Sequence, residues 1–294
     1  MAPAKTRLLR TFTTPPLRLA RRLFRRHAAL PPVLTDPLHS DVPALRGAEI
    51  AAIYHGCRMA GDFYEFLRVG RSRVLFGLFD IAGRREDTRE FLIAAQSTFR
   101  TLAPQLFAGE DLNEPNAMIE LSQQLNRTIL RAAGVRSCPA FIGCYNEDLG
   151  TVCYANAGHT PALVQDRTGI TTLEATGLPL GLFSHTTRSA PTCVLVPGAM
   201  LLVVSRGIVE AECDGEEFGL EGAKRTLQEA PAVRARDLCL GILRGVQDFM
   251  RKSPTHNDVT ALALLRTAAQ PAVGVAGQQA AERVLKRAEN GHWG

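Results

Sequence analysis

The chain has 294 residues and a mass of 31.9 kDa, which is enough for one large domain or two small ones with a full hydrophobic core. Hydrophobic residues make up 46% and charged residues 21%, so a chain disordered over its whole length and a collagen-like or disulfide-scaffold protein are excluded. The longest apolar run, residues 199–204, is far shorter than the ~20 residues of a membrane-spanning helix.

The charge is concentrated at the N-terminus. Residues 1–36 contain eight Lys or Arg and one Asp, a net of +7, whereas the rest of the chain contains 26 basic and 28 acidic side chains, a net of −2. A near-neutral folded part disfavours a nucleic-acid-binding core. The seven cysteines include no C-x-x-C and indicate a reducing compartment without a disulfide framework or zinc site.

The N-terminal segment predicts an arm and a linker rather than a folded element. Residues 17–26 mix leucine and phenylalanine with arginine and lack the apolar centre of a secretory signal. Three interpretations stay open: a solvated arm, a basic amphipathic helix on an anionic membrane surface, and an organellar transit peptide. The predicted divisions are an arm and Pro-rich linker over 1–44, a folded domain over 45–266, and an Ala/Gly/Gln-rich tail over 267–294.

Strands and helices are predicted in alternating groups. Apolar and β-branched runs indicate strands, and the 3.6-residue period indicates helices. The predicted strands are 49–54, 63–69, 73–79, 140–145, 150–156, 162–165, 193–196, 199–205 and 259–265. The predicted helices are 87–107, 114–133, 220–230 and 235–250. Strands with short connections and helices in blocks predict an α+β fold of antiparallel sheets covered by helices, not a βαβ repeat.

Three aspartates stand at strand ends beside turns. Asp62 opens one predicted strand, Asp80 ends another and Asp258 opens the last. Oxygen ligands from separate segments are what Mg²⁺ and Mn²⁺ require. Each aspartate taken alone is more simply a turn-forming residue, so a metal site depends on their being considered together.

Taken together, the segments resemble the SpoIIE-type branch of the metal-dependent protein serine/threonine phosphatases, the PPM family. That branch typically reads G-G-D-[FY]-Y-D, D-V-S-G-K-G, N-A-G-H, T-D-G-[VI]-x-E-A and D-D-x-T, in this order. The counterparts here are A-G-D-F-Y-E (60–65), D-I-A-G-R-R (80–85), N-A-G-H (156–159), S-R-G-I-V-E-A (205–211) and N-D-V-T (257–260); G-L-P-L-G (177–181) and E-F-G (217–219) also match.

The resemblance covers residues 45–266 and implies a four-layer sandwich of two antiparallel sheets flanked by helices. It implies hydrolysis of phosphoserine or phosphothreonine by water activated between two Mn²⁺ or Mg²⁺ ions. Carried over by motif, Asp80 is the bridging ligand, Ile81 offers its backbone carbonyl, and Asp62 supports the site directly or through water. Asp258 is a weaker candidate ligand.

Two departures from the family pattern fall on one metal position. The aspartate of T-D-G is Arg206 here, and the first aspartate of D-D-x-T is Asn257. A guanidinium cannot become a metal ligand and repels a nearby cation. The Arg206 side chain either fills the emptied metal position and pairs with Asp80 or Asp62, or points to solvent and leaves one ion at Asp80. We favour hydrolysis that is weak or lost, with one ion or none.

The remaining candidates are weaker. His159 is a candidate general acid, although a His after Ala-Gly is more often a structural hydrogen-bonding residue. Arg84 and Arg85 replace the Lys-Gly of the family and are candidate phosphate contacts, as is Arg58. Two motif glutamates, Glu65 and Glu210, are expected to support loops.

Two functions follow from the resemblance. One is a SpoIIE-like phosphatase with a compromised metal site; the alternative is an inactive pseudophosphatase that binds a phosphoprotein or regulator. The family branch implies a STAS-type anti-sigma antagonist or its kinase as partner, and a homodimer is a further option. The expected location is the cytoplasm, with residues 1–36 as an optional contact to the inner membrane face.

Overall fold

The structure is a computed structural model. It describes residues 40–56, 61–81, 85–132, 137–185, 189–229, 234–251 and 257–267, with only the backbone described over 85–87. The predicted arm and tail lie almost wholly outside these residues, so the predicted divisions of the chain stay predictions. None of the helices described is both long and apolar enough to cross a bilayer.

The described residues form twelve strands and five helices. The strands are β1 (Ala48–His55), β2 (Phe63–Val69), β3 (Arg73–Phe79), β4 (Ala140–Asn146), β5 (Thr151–Ala157), β6 (Ala162–Asp166), β7 (Gly169–Leu173), β8 (Thr192–Val194), β9 (Met200–Val204), β10 (Glu212–Cys213), β11 (Glu216–Glu217) and β12 (Val259–Arg266). The helices are α1 (Arg85–Phe107), α2 (Glu114–Arg131), α3 (Arg206–Val209), α4 (Gly219–Glu229) and α5 (Ala235–Met250).

Ten of these strands make two antiparallel sheets of five. The first has the order β1-β12-β9-β6-β7, and the second has the order β2-β3-β4-β5-β8. Helices α1 and α2 pack on the second sheet, while α4 and α5 pack on the first. The predicted α+β four-layer sandwich is confirmed.

Alternate side chains of β12 pack into two different cores of the sandwich. Leu262 and Leu264 face the core between the sheets, while Ala261 and Ala263 face the core beneath α5. All four are fully buried. Because both faces of the strand are covered, the sequence is a nearly continuous apolar run rather than an apolar–polar alternation.

Helix α2 shows why the helices lie where they do. Its N-cap Asn113 accepts a hydrogen bond from the backbone N–H of Asn116 through its side chain, which satisfies one of the free donors of the first turn. Leu121, Leu125 and Ile129 recur at helical spacing and are completely buried against the second sheet. This stripe fixes the face that the helix buries.

Three elements escaped the sequence prediction. Strand β7 is an edge strand with two threonines and little buried surface, so it lacks a strong apolar pattern. The β10–β11 hairpin turns at Asp214-Gly215, which have φ of 55° and 82°. Asp-Gly is the usual sequence signal for such a turn, and the prediction overlooked it. Helix α3 has four residues, which are too few to show the 3.6-residue apolar period of a helix in the sequence.

Candidate functional site

The topology brings four loop positions to one edge of both sheets. Asp62 precedes β2 and Asp80 follows β3, and the first residue of β2 pairs with the last of β3. Arg206 follows β9 and Asp258 precedes β12, and those two strands pair near these ends. Hydrogen bonds join the two sheets' loops here, so the sequence motifs converge on one site.

The Arg206 side chain pairs with Asp80. Its Nη2 donates to Asp80 Oδ1 at 3.3 Å, and its backbone N–H donates to Asp80 Oδ2 at 3.1 Å. The Asp80 side chain is 6% exposed, whereas that of Arg206 is 42% exposed. A second carboxylate, Glu210, lies 3.7 Å from Arg206 Nε. Of the two alternatives for Arg206, the paired orientation is the one found.

Asp62 and Asp258 form the buried floor of the site. Asp258 Oδ2 accepts from the Tyr54 hydroxyl at 2.9 Å and from the backbone N–H of Asp62 at 3.3 Å. Asp62 Oδ2 accepts from the Thr260 hydroxyl at 2.8 Å. Burial and the nearby charge of Asp80 raise the pKa of Asp62 well above its usual range, against the hydrogen bonds from Thr260 and Ser205.

Among the side chains described here, three carboxylates and one guanidinium meet at the site. Asp62, Asp80 and Asp258 are each at most 4% exposed, and Arg206 pairs with Asp80. When all three carboxylates are ionised, the four side chains sum to −2. Burial first, and then the like charge of Asp80, raise the pKa of Asp62. The cluster therefore favours a proton, a cation or a hydrogen-bond donor over a bare anion.

His159 lies at the same edge, after β5, and is 4% exposed. Its Nδ1 is 3.1 Å from the Thr160 carbonyl and 3.0 Å from the Thr160 hydroxyl, which itself donates to the Val204 carbonyl. We assign the proton to Nδ1 because both neighbours then accept from it. Nε2 is then a buried acceptor, and no described group hydrogen-bonds to it. Burial lowers the pKa of His159 despite the charge of Asp80, while Arg206 lowers it further. A neutral imidazole with a bare Nε2 is suited to accept a proton or bind a donor, not to act as an acid.

The loops that contain Arg206 and Asn257 touch through their backbones. A Cβ placed on Gly207 would lie 2.0 Å from the Asp258 carbonyl oxygen and 3.1 Å from the Asn257 Cβ. Only glycine permits this approach. The two positions where the family aspartates are replaced are therefore neighbours in space, as the motif pattern predicts, although Asn257 is exposed.

The other predicted site residues are placed as follows. The Ile81 carbonyl accepts from the Gly61 backbone N–H at 3.3 Å, which leaves one of its lone pairs. Arg58 and Arg84 lie outside the described residues, as does the side chain of Arg85, the first residue of α1. Their assignment to phosphate binding stays a prediction.

Glu65 belongs to a different, structural network. Its carboxylate accepts from Gln96 at 2.6 Å and from Arg100 at 3.1 Å, both on α1, and from Ser40 at 2.8 Å. It is 1% exposed. This motif residue ties the segment before β1 and helix α1 to β2, in agreement with its expected supporting role.

Sequence reasoning missed three residues that shape the site. Thr260 and Tyr54 donate to the two floor carboxylates, and Ser205 Oγ accepts from the Thr260 backbone N–H at 3.0 Å. Thr260 is the last letter of N-D-V-T, so its motif position was a usable signal. Tyr54 lies directly opposite Thr260 across β1 and β12, a pairing that no local pattern shows.

The residues do not fit the two-ion centre that the family implies. A guanidinium stands at 206 and an amide at 257, and Asp80 already accepts two hydrogen bonds from Arg206. Within the described ranges, no group of three or more His, Cys, Asp or Glu side chains is arranged to hold a metal ion. The oxygen donors that remain for a single ion are Asp62, Asp258 and the Ile81 carbonyl, beside Asp80.

Comparison with known proteins gives the family. The family described as Stage II sporulation protein E (SpoIIE) matches residues 71–267, more than half of the chain. A curated relative, protein IcfG of Synechocystis, is 23% identical over 199 residues, which cover 60% of this chain and 31% of that protein. This chain thus spans about a third of the relative's length.

Solved structures share the fold. The RsbU and RsbW domains of Rv1364c from Mycobacterium tuberculosis match with a TM-score of 0.63 at 20% identity, covering 86% of this chain and 72% of that one. The PP2C phosphatase domain of SpoIIE from Bacillus subtilis, solved with a fragment of its regulatory domain, matches with a TM-score of 0.59 at 18% identity, covering 75% and 64%.

A further solved match contains a metal ion. RsbX in complex with magnesium has a TM-score of 0.53 at 13% identity, covering 76% of this chain and 98% of that one. At these identities the structures establish the fold alone, while the match over residues 71–267 establishes the family. The chain therefore belongs to the SpoIIE family and has the fold of the PPM, or PP2C, phosphatase domains.

Proposed function

We propose that this SpoIIE-type domain acts in phosphoserine or phosphothreonine signalling, that its metal-dependent hydrolysis is lost, and that it works by binding a regulatory protein. The observation that carries the proposal is the ion pair between Arg206 and Asp80, at 3.3 Å. The carboxylate that the family uses to bridge two ions is here bound to a fixed cation. That cation cannot generate hydroxide from water.

The charge of the site supports the loss of turnover. Among the described side chains, a phosphate dianion approaching Asp62, Asp80 and Asp258 meets three carboxylates and one guanidinium, that of Arg206. His159 Nε2 offers a phosphate oxygen a lone pair rather than a proton. Without added cations, these described side chains are therefore expected to repel the phosphoryl group.

The same charge favours a second candidate function, weak hydrolysis with one ion. We assign Asp62, Asp80, the Ile81 carbonyl and, with less support, Asp258 as the ligands of that ion, which would supply charge neutralisation at the phosphoryl group. In this candidate His159 accepts a proton rather than donating one, which revises its predicted role as general acid.

The regulatory partner is proposed from the family. A STAS-type anti-sigma antagonist or its kinase is the first choice, because the family branch acts on such proteins. The Mycobacterium tuberculosis match, which joins RsbU and RsbW domains, supports a regulatory protein as partner. Contact of residues 1–36 with an anionic membrane is a separate proposal; equal flotation of the full chain and of a chain lacking them on anionic liposomes would overturn it.

Phosphate release from a phosphoserine peptide tests the proposed function. The full chain, the double variant Arg206→Asp with Asn257→Asp, and Arg71→Asp are assayed with Mn²⁺, with Mg²⁺ and with chelator. Arg71 is exposed in the β2–β3 turn, so its variant reproduces the charge change of Arg206→Asp outside the site. We expect turnover only from the double variant, and expect Asp80→Asn to abolish it. Metal-dependent turnover by the unaltered chain would overturn the proposal and favour the one-ion candidate.

A further inference from the structure

An apolar surface lies on α2 and on the loop over 177–185 that packs against it. Of the eight large apolar side chains that are most exposed in the described residues, four belong to this surface: Leu130, Leu178, Leu182 and Phe183, each between 43% and 46% exposed. We call these four residues the shoulder. Contiguous exposed apolar side chains are typical of protein-binding sites.

The shoulder is held in place by hydrogen bonds. The Asn126 side chain accepts from the Gly181 backbone N–H at 2.7 Å and donates to the Phe183 carbonyl at 3.0 Å. Leu180 is fully buried and exchanges two backbone hydrogen bonds with Cys138, at 2.7 and 3.0 Å. Leu130 lies one turn beyond Asn126 on the same helix face. The exposed side chains therefore stand on a fixed backbone rather than on a free loop.

The loop that contributes to the shoulder also borders the candidate site. Gly177 bridges to Ala157 at the end of β5. A Cβ on Gly158 would meet the Pro179 ring at 2.4 Å, so this loop is in close contact with the residue before His159. The loop of the shoulder therefore adjoins the end of β5 that leads into His159.

Charge beside the shoulder selects its occupant. Arg127 and Arg131 are one turn apart on α2, next to the row of Asn126 and Leu130, and both are exposed. Neither forms an ion pair or a side-chain hydrogen bond with the residues that the structure describes. Two unpaired cations beside an apolar surface favour a partner that brings carboxylates.

The same charges disfavour occupants from this chain. Residues 1–36 have a net charge of +7 and residues 268–294 a net of +1, so neither segment offers an excess of carboxylates. The shoulder of a second copy has the same two arginines, which would face each other in a symmetric dimer.

We propose that the shoulder binds a separate protein whose contact surface combines apolar side chains with carboxylates. This inference rests on the proposed function, a domain that acts by binding, and names the surface and the chemistry of the partner. The apolar side chains supply affinity, and the flanking arginines supply orientation and selection by charge.

Two synthetic amphipathic peptides test the inference, one with leucines on one face and glutamates on the other, and one with lysines in place of the glutamates. Binding of each to the full chain is measured by fluorescence anisotropy, and amide shifts in NMR spectra locate the contact. We expect the acidic peptide to bind at least about tenfold more tightly than the basic one, with shifts at Leu130, Leu182 and Phe183. Phe183→Ser is expected to weaken binding about tenfold, and Arg127→Glu with Arg131→Glu to reverse the preference.

Several outcomes would overturn the inference. These are equal affinity for both peptides, shifts confined to other surfaces, competition by a peptide of residues 268–294, and a concentration-dependent dimer in sedimentation that Phe183→Ser abolishes. Because Phe183 lies outside the carboxylate cluster, Phe183→Ser added to the double variant Arg206→Asp with Asn257→Asp leaves phosphate release unchanged. A chain that hydrolyses phosphoserine yet shows the charge-reversed binding would refute the proposed function and leave the shoulder assignment standing.

Discussion

Arg206→Asp is expected to turn the candidate site into a Mn²⁺ site that can be seen in thermal unfolding. The substitution removes the cation beside Asp80 and adds a fourth carboxylate next to Asp62 and Asp258. Breaking a fully buried ion pair costs about 3–5 kcal/mol. Because the Arg206 side chain is 42% exposed, solvent screening reduces the cost here to about 2 kcal/mol. For a domain of this size, the metal-free variant then melts about 4–8 °C below the unaltered chain.

Mn²⁺ should restore the melting temperature of the Arg206→Asp variant. A ligand at 100 times its Kd stabilises the folded state by about 2.7 kcal/mol, which corresponds to a rise of about 5–11 °C. The unaltered chain is expected to shift by less than about 2 °C under the same conditions, since its site keeps Arg206. Differential scanning fluorimetry of both proteins and of Arg71→Asp, with chelator and with Mn²⁺, gives the comparison. An equal Mn²⁺ shift in the unaltered chain would refute the reasoning.

Two further predictions concern stability, one beside the site and one at the opposite end of β3 and β4. Gly207→Ala should lower the free energy of unfolding by about 2–4 kcal/mol, because its Cβ would meet the Asp258 carbonyl at 2.0 Å; a urea midpoint equal to that of the unaltered chain would contradict this close approach. Burial raises the pKa of Glu147, but hydrogen bonds from Arg68 and Arg46 lower it overall. Stability from this carboxylate is therefore present above its unfolded pKa of about 4.3 and lost as the pH falls through the lower folded value. Glu147→Gln should destabilise the chain at pH 7 and match it at the acid end of that window; a pH-independent difference in urea unfolding would show that the charge is not the cause.

The sandwich could be predicted because its cues are local. The apolar runs of β3 and β9 and the buried stripe of α2 follow directly from the periods of strand and helix. Edge strand β7 lacked such a cue, since an exposed strand has no apolar face to reveal. The order of the strands within each sheet was not predicted, because local periodicity does not say which strands pair.

The candidate site, too, could be predicted only where a sequence motif fixes the position of a residue. Asp62, Asp80 and Asp258 were found because motifs fix their positions, and the neighbourhood of Arg206 and Asn257 followed from the same motifs. The orientation of the Arg206 side chain was left between two alternatives, since a rotamer depends on the surrounding charges and not on the sequence nearby. The tautomer of His159 depends on the Thr160 carbonyl, a contact that only the folded backbone creates.

The number of Mn²⁺ ions bound per chain tests the central claim most directly, namely that Arg206 takes the place of a metal ion. It can be counted by electron paramagnetic resonance of free Mn²⁺ in titrations of the full chain and of the double variant Arg206→Asp with Asn257→Asp. We predict two ions for the double variant, and for the unaltered chain at most one ion, bound too weakly to raise its melting temperature by more than about 2 °C. Two ions bound to the unaltered chain at micromolar Mn²⁺ would contradict the account, because a guanidinium paired with Asp80 leaves no place for the second.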